Sequence, residues 1–261
     1  MCPPRVSHLI VLTHVLLLMK HDRLFQEASK QAGEFKPQNI ANTLWALATA
    51  GVQIPASLVE CLSRRAESTA KEFKPQNIAN TLWAASVLET IPLFLSSALS
   101  WWNVLPDVAL DPTSACQLHQ FFLALQGDAP FDLSTFKRLE ASLATISGAA
   151  LLQHCCAEFT SGASKSTPSL LQRKIADTMR VVLAREYPRV QVLEEQVLKR
   201  GGGYSVDIQL VDGQTEGLGV VVEVDGPSHF LLRVDTDRST LATNGSTRLK
   251  HRLLEAMGWR V

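Results

Sequence analysis

The chain has 261 residues, of which 46% are hydrophobic, and its 25 basic residues equal its 25 acidic residues in number. This length and this hydrophobic content predict a folded protein of two domains and argue against a disordered chain. The zero net charge excludes nucleic-acid binding through a global basic field, so any such binding has to come from local grooves. The cysteines have neither CxxC nor Cys/His ligand spacing, which favours reduced thiols over a zinc site.

The first feature in chain order is an apolar run at residues 8–19, with the sequence HLIVLTHVLLLM. This run is too short to span a bilayer, although it has the length of a signal-peptide core. Because its downstream half blends into the repeat register described next, a buried repeat helix is the favoured interpretation.

A segment of the sequence FKPQNIANTLWA occurs twice, at 35–46 and again at 73–84. An offset of 38 residues (73 − 35) that reproduces a whole segment is typical of stacked helical repeats, in which no unit buries its apolar face alone. The first helix of each unit is predicted to begin at Pro37 or Pro75, because proline suits the first turn of a helix. A third, degenerate copy follows at Pro112, and the register predicts that the chain begins inside a repeat. The N-terminal part is therefore predicted to be an α-solenoid.

An apolar stripe of helical period runs along the first helix of each unit. It contains Leu44 and Trp45 in the first copy and Leu82 and Trp83 in the second. We expect both tryptophans to lie in the core rather than on the surface as stacking platforms.

A different pattern follows the segment SGASKSTPS at 161–169, whose composition predicts a linker. After it come an amphipathic helix, three strand candidates and a last helix that Ser246 or Thr247 would cap. The helix is predicted at 170–186 and the strands at 190–198, 204–211 and 218–226.

The segments VEVDGPSHF (222–230) and NGSTRLKHRLLEAMGWRV (244–261) resemble the RAP domain, a family named for RNA-binding proteins abundant in apicomplexans. The tandem FKPQNIANTLWA helices resemble octotricopeptide-type repeats and the leucine-rich region of FAST kinase-like proteins. The resemblance implies an α-solenoid of helix-pair repeats followed by an α+β domain similar to PD-(D/E)XK nucleases. The predicted boundaries are 1–160 for the repeats, 161–169 for the linker and 170–261 for the RAP domain, which would be cut short at its C-terminal end.

These families bind organellar RNA in mitochondria or plastids and act in its stability, processing, ribosomal RNA maturation or translation. The resemblance therefore implies that single-stranded RNA and ribonucleoproteins are the partners, with no role for a membrane. Two alternatives stay open: a metal-dependent endoribonuclease, and a helical scaffold that binds other proteins.

Three carboxylates could converge in the C-terminal domain. Strand alternation places Glu223 and Asp225 on one face of their strand, and Asp207 joins them if its strand is the neighbour. Such a cluster could hold Mg²⁺, with Lys250 meeting a phosphate and His229 acting as acid, base or ligand. The nuclease signature has a lysine at the position where this chain has Asp225. This difference favours a nuclease-like fold that binds RNA without cutting it. The alternative without a functional site is that Asp225 stabilises a turn and that Lys250 belongs to a solvent-exposed helix face.

Polar residues on the first repeat helices are the candidates for RNA contact in the solenoid, because side-chain amides can hydrogen-bond base edges. A solvent-exposed helix face with no binding role would explain these polar residues equally well. They are Gln38, Asn39, Asn42 and Thr43 in the first copy, and Gln76, Asn77, Asn80 and Thr81 in the second. The candidates in the C-terminal domain are Arg173, Lys174, His229, Lys250 and Arg252.

Overall fold

A computed structural model of the chain describes residues 21–102, 105, 109–127, 137–139, 141, 144–163, 167–212, 219–235 and 238–261. The apolar run at 8–19 lies outside the described residues. None of the helices in the described part is long and apolar enough to cross a bilayer.

The N-terminal part consists of stacked helices, which confirms the predicted helical repeats. The equivalent helices of consecutive repeats pack side by side: α2 (Pro37–Thr49) packs against α4 (Pro75–Val87), and α4 packs against α6 (Pro112–Gly127). Proline occupies the first position of α2, α4 and α6, as the sequence predicts. The helices are α1 (His21–Gln31), α2 (Pro37–Thr49), α3 (Ala56–Ser68), α4 (Pro75–Val87), α5 (Ile91–Trp102), α6 (Pro112–Gly127) and α7 (Ile146–Ala163).

The two predicted core tryptophans differ in burial. Trp83 is 6% exposed, and its Nε1 donates a hydrogen bond to Gln120 Oε1 at 2.9 Å. Trp45 is only partly buried, although it packs against the same core. The repeat sequence is identical at these positions, so the difference comes from the neighbouring helices.

The C-terminal part has the predicted α+β composition. Helix α8 (Leu170–Glu186) packs against an antiparallel sheet of order β1-β2-β3, whose strands are Val190–Val197, Ser205–Asp212 and Val220–Val222. A separate hairpin joins β4 (Phe230–Asp235) to β5 (Arg238–Thr243). The sequence did not predict that hairpin. The elements are α8 (Leu170–Glu186), β1 (Val190–Val197), β2 (Ser205–Asp212), β3 (Val220–Val222), β4 (Phe230–Asp235), β5 (Arg238–Thr243) and α9 (Gly245–Ala256).

Two sequence predictions need correction in this part. The third strand ends at Val222 rather than at residue 226, because the Val224 amide donates to the Asp207 side chain and a 3-10 helix follows at Pro227–His229. The cap of α9 is Asn244, whose Oδ1 accepts from the Thr247 amide at 2.9 Å, rather than Ser246 or Thr247.

The two parts share one hydrophobic core. Helix α9 packs against α2, α4 and α6 of the repeats, and its buried Leu249 and Leu253 belong to the same cluster as Leu44 and Leu82. Gly245, the first residue of α9, lies so close to the Ala48 carbonyl that a Cβ atom there would clash. The C-terminal domain is therefore seated directly on the ends of the repeat helices.

Candidate functional site

The predicted acidic residues lie on the face of the sheet that α9 covers. Ile208 pairs with Val222, so continuing the β2–β3 register by one residue places Asp207 opposite Glu223 on a common face. Lys250 on α9 reaches this face, with its Nζ 2.5 Å from Glu223 Oε2. Glu223 therefore lies beside Lys250 and across from Asp207.

Glu223 has an unusual environment for a carboxylate. Its side chain is 5% exposed, and its Oε1 is buried without a hydrogen-bond partner among the described residues. Burial raises the pKa of Glu223 to about 7, and the charges of Asp207 and Asp225 add to this effect, although Lys250 opposes it. Glu223 therefore changes charge near neutral pH.

One oxygen atom of each of the other two carboxylates has a partner within the protein. Asp207 Oδ2 accepts from the Val224 amide at 2.6 Å, and Asp225 Oδ1 lies 2.9 Å from His229 Nδ1. Among the described residues, no three His, Cys, Asp or Glu side chains are arranged so that they could hold a metal ion. The magnesium site stays a prediction that this geometry does not support.

His229 lies at the exposed rim of this cluster. Its Nδ1 is 3.0 Å from Thr247 Oγ1 as well as 2.9 Å from Asp225 Oδ1, and its side chain is 42% exposed. His251 Nε2 lies 3.8 Å from Asp225 Oδ2, beyond hydrogen-bond distance. The rim can therefore present an imidazole to a ligand, whereas Glu223 behind it cannot be reached without movement.

The polar residues of the repeat helices fall into two groups. Asn39 Oδ1 accepts from the Lys36 amide at 3.1 Å, and Asn77 Oδ1 accepts from the Lys74 amide at 3.4 Å, so these asparagines stabilise helix N-termini. Thr81 is 0% exposed, which corrects its prediction as an RNA contact. The second group keeps access to solvent and consists of Gln38, Asn42, Thr43, Gln76 and Asn80.

Comparison with known proteins identifies the C-terminal part. Residues 222–261 match the family model of the RAP domain, and this range contains Glu223, Asp225 and Lys250. The chain contains a RAP domain. The segments 22–44 and 64–82 match a second model, a protein family of unknown function (DUF1601), and both lie within the repeat region.

A rice protein (Oryza sativa subsp. japonica) described as a chloroplastic RAP domain-containing protein is 26% identical over 309 aligned positions. The alignment covers 95% of this chain but 46% of the rice protein, so the chain spans about half the length of that relative. No solved structure matches the chain.

The cations predicted for the RAP domain are largely occupied by internal contacts. Arg252 Nη2 donates to the Ser86 carbonyl, and its Nη1 lies 3.0 Å from Glu89 Oε1, both on the repeat side. Arg173 donates to the Pro168 carbonyl at 3.0 Å, and Lys250 pairs with Glu223. Arg252 therefore joins the two parts of the chain, its role as an RNA contact stays a prediction, and Lys174 is exposed.

Sequence reasoning missed the residues that join the C-terminal part of the chain to α6. Gln120 Nε2 donates to Tyr204 Oη at 2.8 Å while accepting from Trp83, and His119 Nε2 lies 2.6 Å from the Gly202 carbonyl oxygen. One signal was present in the sequence: Gln120 follows Trp83 by the same 37 residues by which Pro112 follows Pro75 (120 − 83 and 112 − 75). It thus replaces the tryptophan of the third copy at the position that meets the RAP domain.

Proposed function

We propose that this protein binds single-stranded RNA in an organelle, with the helical repeats and the RAP domain acting as one binding body. The observation that carries the proposal is the RAP domain at 222–261, packed in a common core with the repeats. The chloroplastic rice relative makes the plastid the first compartment to test, and the mitochondrion is the alternative.

The solvent-accessible amides of the repeats support this proposal. Gln38 and Asn42 on α2 recur as Gln76 and Asn80 on α4, and none of the four is buried. Amide side chains can hydrogen-bond the edges of unstacked bases, which is how helical-repeat proteins contact RNA. Two repeats with identical amides would favour the same kind of base at adjacent positions.

The RNA would be an organellar messenger or ribosomal RNA, and the role would lie in its processing, stability, maturation or translation together with ribonucleoprotein partners. This finer assignment follows from the resemblance to RAP and octotricopeptide proteins.

Ultraviolet crosslinking in isolated organelles tests the proposal. We expect the purified protein to carry a defined set of RNA fragments, identified by sequencing. Recovery of peptides without RNA would contradict the proposal and favour a helical scaffold for proteins.

A second candidate is a metal-dependent endoribonuclease, favoured by the buried Glu223 that pairs with Lys250 at 2.5 Å. Binding without cleavage remains our first choice, because the nuclease signature places a lysine where this chain has Asp225. Incubating the protein and its Glu223→Gln variant with RNA in Mg²⁺ or Mn²⁺ separates the two: cleavage lost in the variant would establish the enzyme.

A further inference from the structure

A cavity of about 290 Å³ lies where the RAP domain meets α6 of the repeats. It is bounded by the C-terminal ends of α6 and α9 and by the turn that joins β1 to β2. Among the described residues, no carboxylate lines it. Its apolar floor consists of Leu123, Leu253 and Met257. Its polar rim consists of Gln126, Lys199 and Arg200. We call it the junction cavity.

Close packing of glycines holds one wall of the junction cavity in place. Gly202 has φ +62°, and a Cβ atom there would come within 2.6 Å of Leu123 Cδ2. Gly203 has φ +85° and is similarly crowded by Thr160 Cγ2 at 2.5 Å. A side chain at either position would force the turn away from α6 and α7. The adjacent Lys199 and Arg200 are therefore held at the junction by backbone that only glycine can form.

The two cations at this junction are free, unlike Lys250 and Arg252 on α9. Lys199 and Arg200 are exposed, and within the described ranges neither has a hydrogen-bond or ion-pair partner. By contrast, Lys250 pairs with Glu223, and Arg252 contacts Ser86 and Glu89. Two positive charges beside a cavity without carboxylates favour an anion, and a guanidinium matches the geometry of a phosphate.

We infer that the junction cavity binds a phosphate group of single-stranded RNA, with Lys199 and Arg200 as its ligands. Gln126 would hydrogen-bond the adjoining nucleotide, and the apolar floor would contact its sugar or base. This inference rests on the proposed RNA-binding function and assigns part of it to residues from both the repeats and the RAP domain. RNA bound there would pass from the repeat helices onto the RAP domain.

A charge-matched pair of variants of the full chain tests the inference. The double variant Lys199→Gln/Arg200→Gln removes one lysine and one arginine at the cavity, and Lys71→Gln/Arg185→Gln removes the same charges from exposed positions that do not line it. We expect the cavity variant to bind a fluorescently labelled 20-nucleotide RNA at least about 10-fold more weakly, measured by anisotropy. Each lost phosphate contact should also reduce the slope of log affinity against log salt by about 0.7. The control should change affinity less than about 2-fold, and circular dichroism checks that both variants are folded.

One outcome of this experiment would overturn the inference, and it differs from failure of RNA binding itself. If the wild type binds RNA and the two double variants bind equally, the RNA lies elsewhere. If the wild type binds no RNA, the proposed function fails. The cavity is then tested alone, by measuring whether pyrophosphate protects Lys199 from acetylation more than it protects Lys174. Equal protection would then reject the phosphate site, and selective protection would support it.

Discussion

Arg248 and Arg252 lie one turn apart on α9 and contact two successive repeats. Arg248 Nη1 donates to the Gly51 carbonyl oxygen at 3.4 Å, and Arg252 Nη2 donates to that of Ser86. Gly51 follows the end of α2, and Ser86 lies in the last turn of α4, so each arginine meets the negative end of a helix dipole. The RAP domain therefore ties neighbouring repeats together in addition to covering their ends.

This arrangement explains why α9 contributes little to a free basic surface. Its arginines contact the repeats, its Lys250 pairs with Glu223, and its leucines are buried in the shared core. A solenoid needs a cap that covers its terminal apolar faces. The RAP domain fulfils that need here.

Replacing Gly245 by alanine should separate the RAP domain from the repeats. The new methyl group would clash with the Ala48 carbonyl and approach Val87, so we expect a loss of about 1 to 3 kcal/mol in the free energy of unfolding, as overpacking usually costs. Urea denaturation measures this loss. Gly226→Ala is the matched control, because a Cβ atom there meets nothing within 4 Å and its φ is −76°. An equal effect of both substitutions would argue against the direct seating of α9.

Alanine substitution should affect the two repeat tryptophans unequally. Trp83→Ala removes a ring that is 6% exposed and leaves Gln120 Oε1 without its donor, so we expect a cost of ~3–5 kcal/mol. Trp45→Ala should cost only about 1 to 2 kcal/mol, because part of that ring stays in water. Thermal or urea unfolding of both variants gives the comparison. Equal costs would place Trp45 in the core as deeply as Trp83.

The sequence predicted those features of the fold that depend on local pattern. The duplicated segment located α2 and α4, and the strand of Asp207 is the neighbour of the third strand, which was the condition for grouping Asp207 with Glu223. It could not distinguish Thr43 from Thr81, because identical residues differ in burial only through helices packed beside them. The contacts of Gly202 and Gly245 were also out of reach, since their partners are distant in the chain and only the fold brings them together.

Thr81→Val tests the correction of the repeat contacts. The Thr81 hydroxyl is buried and has no hydrogen-bond partner among the described residues, so an apolar group of similar shape should leave stability unchanged or raise it by about 1 kcal/mol. We also expect RNA affinity to stay within about 2-fold of the wild type. Thr43→Val is the matched variant, because Thr43 occupies the same repeat position but is only half-buried. A large loss of RNA affinity in Thr81→Val alone would restore Thr81 as an RNA contact.

The pH dependence of stability should report the buried Glu223. Its pKa is raised from 4.5 to about 7 in the folded protein, so between these values the folded state binds more protons than the unfolded state. Linkage then requires that the contribution of Glu223 to stability falls as pH rises from about 4.5 to 7, by ~3 kcal/mol at most. Glu223→Gln cannot titrate, so its free energy of unfolding relative to the wild type should increase across this window. The slope is the informative quantity, since the substitution also removes the partner of Lys250 and shifts stability at every pH. Urea unfolding of both proteins at half-unit intervals from pH 4.5 to 7.5 measures it. A constant difference between them would show that Glu223 has an ordinary pKa and lies in contact with water.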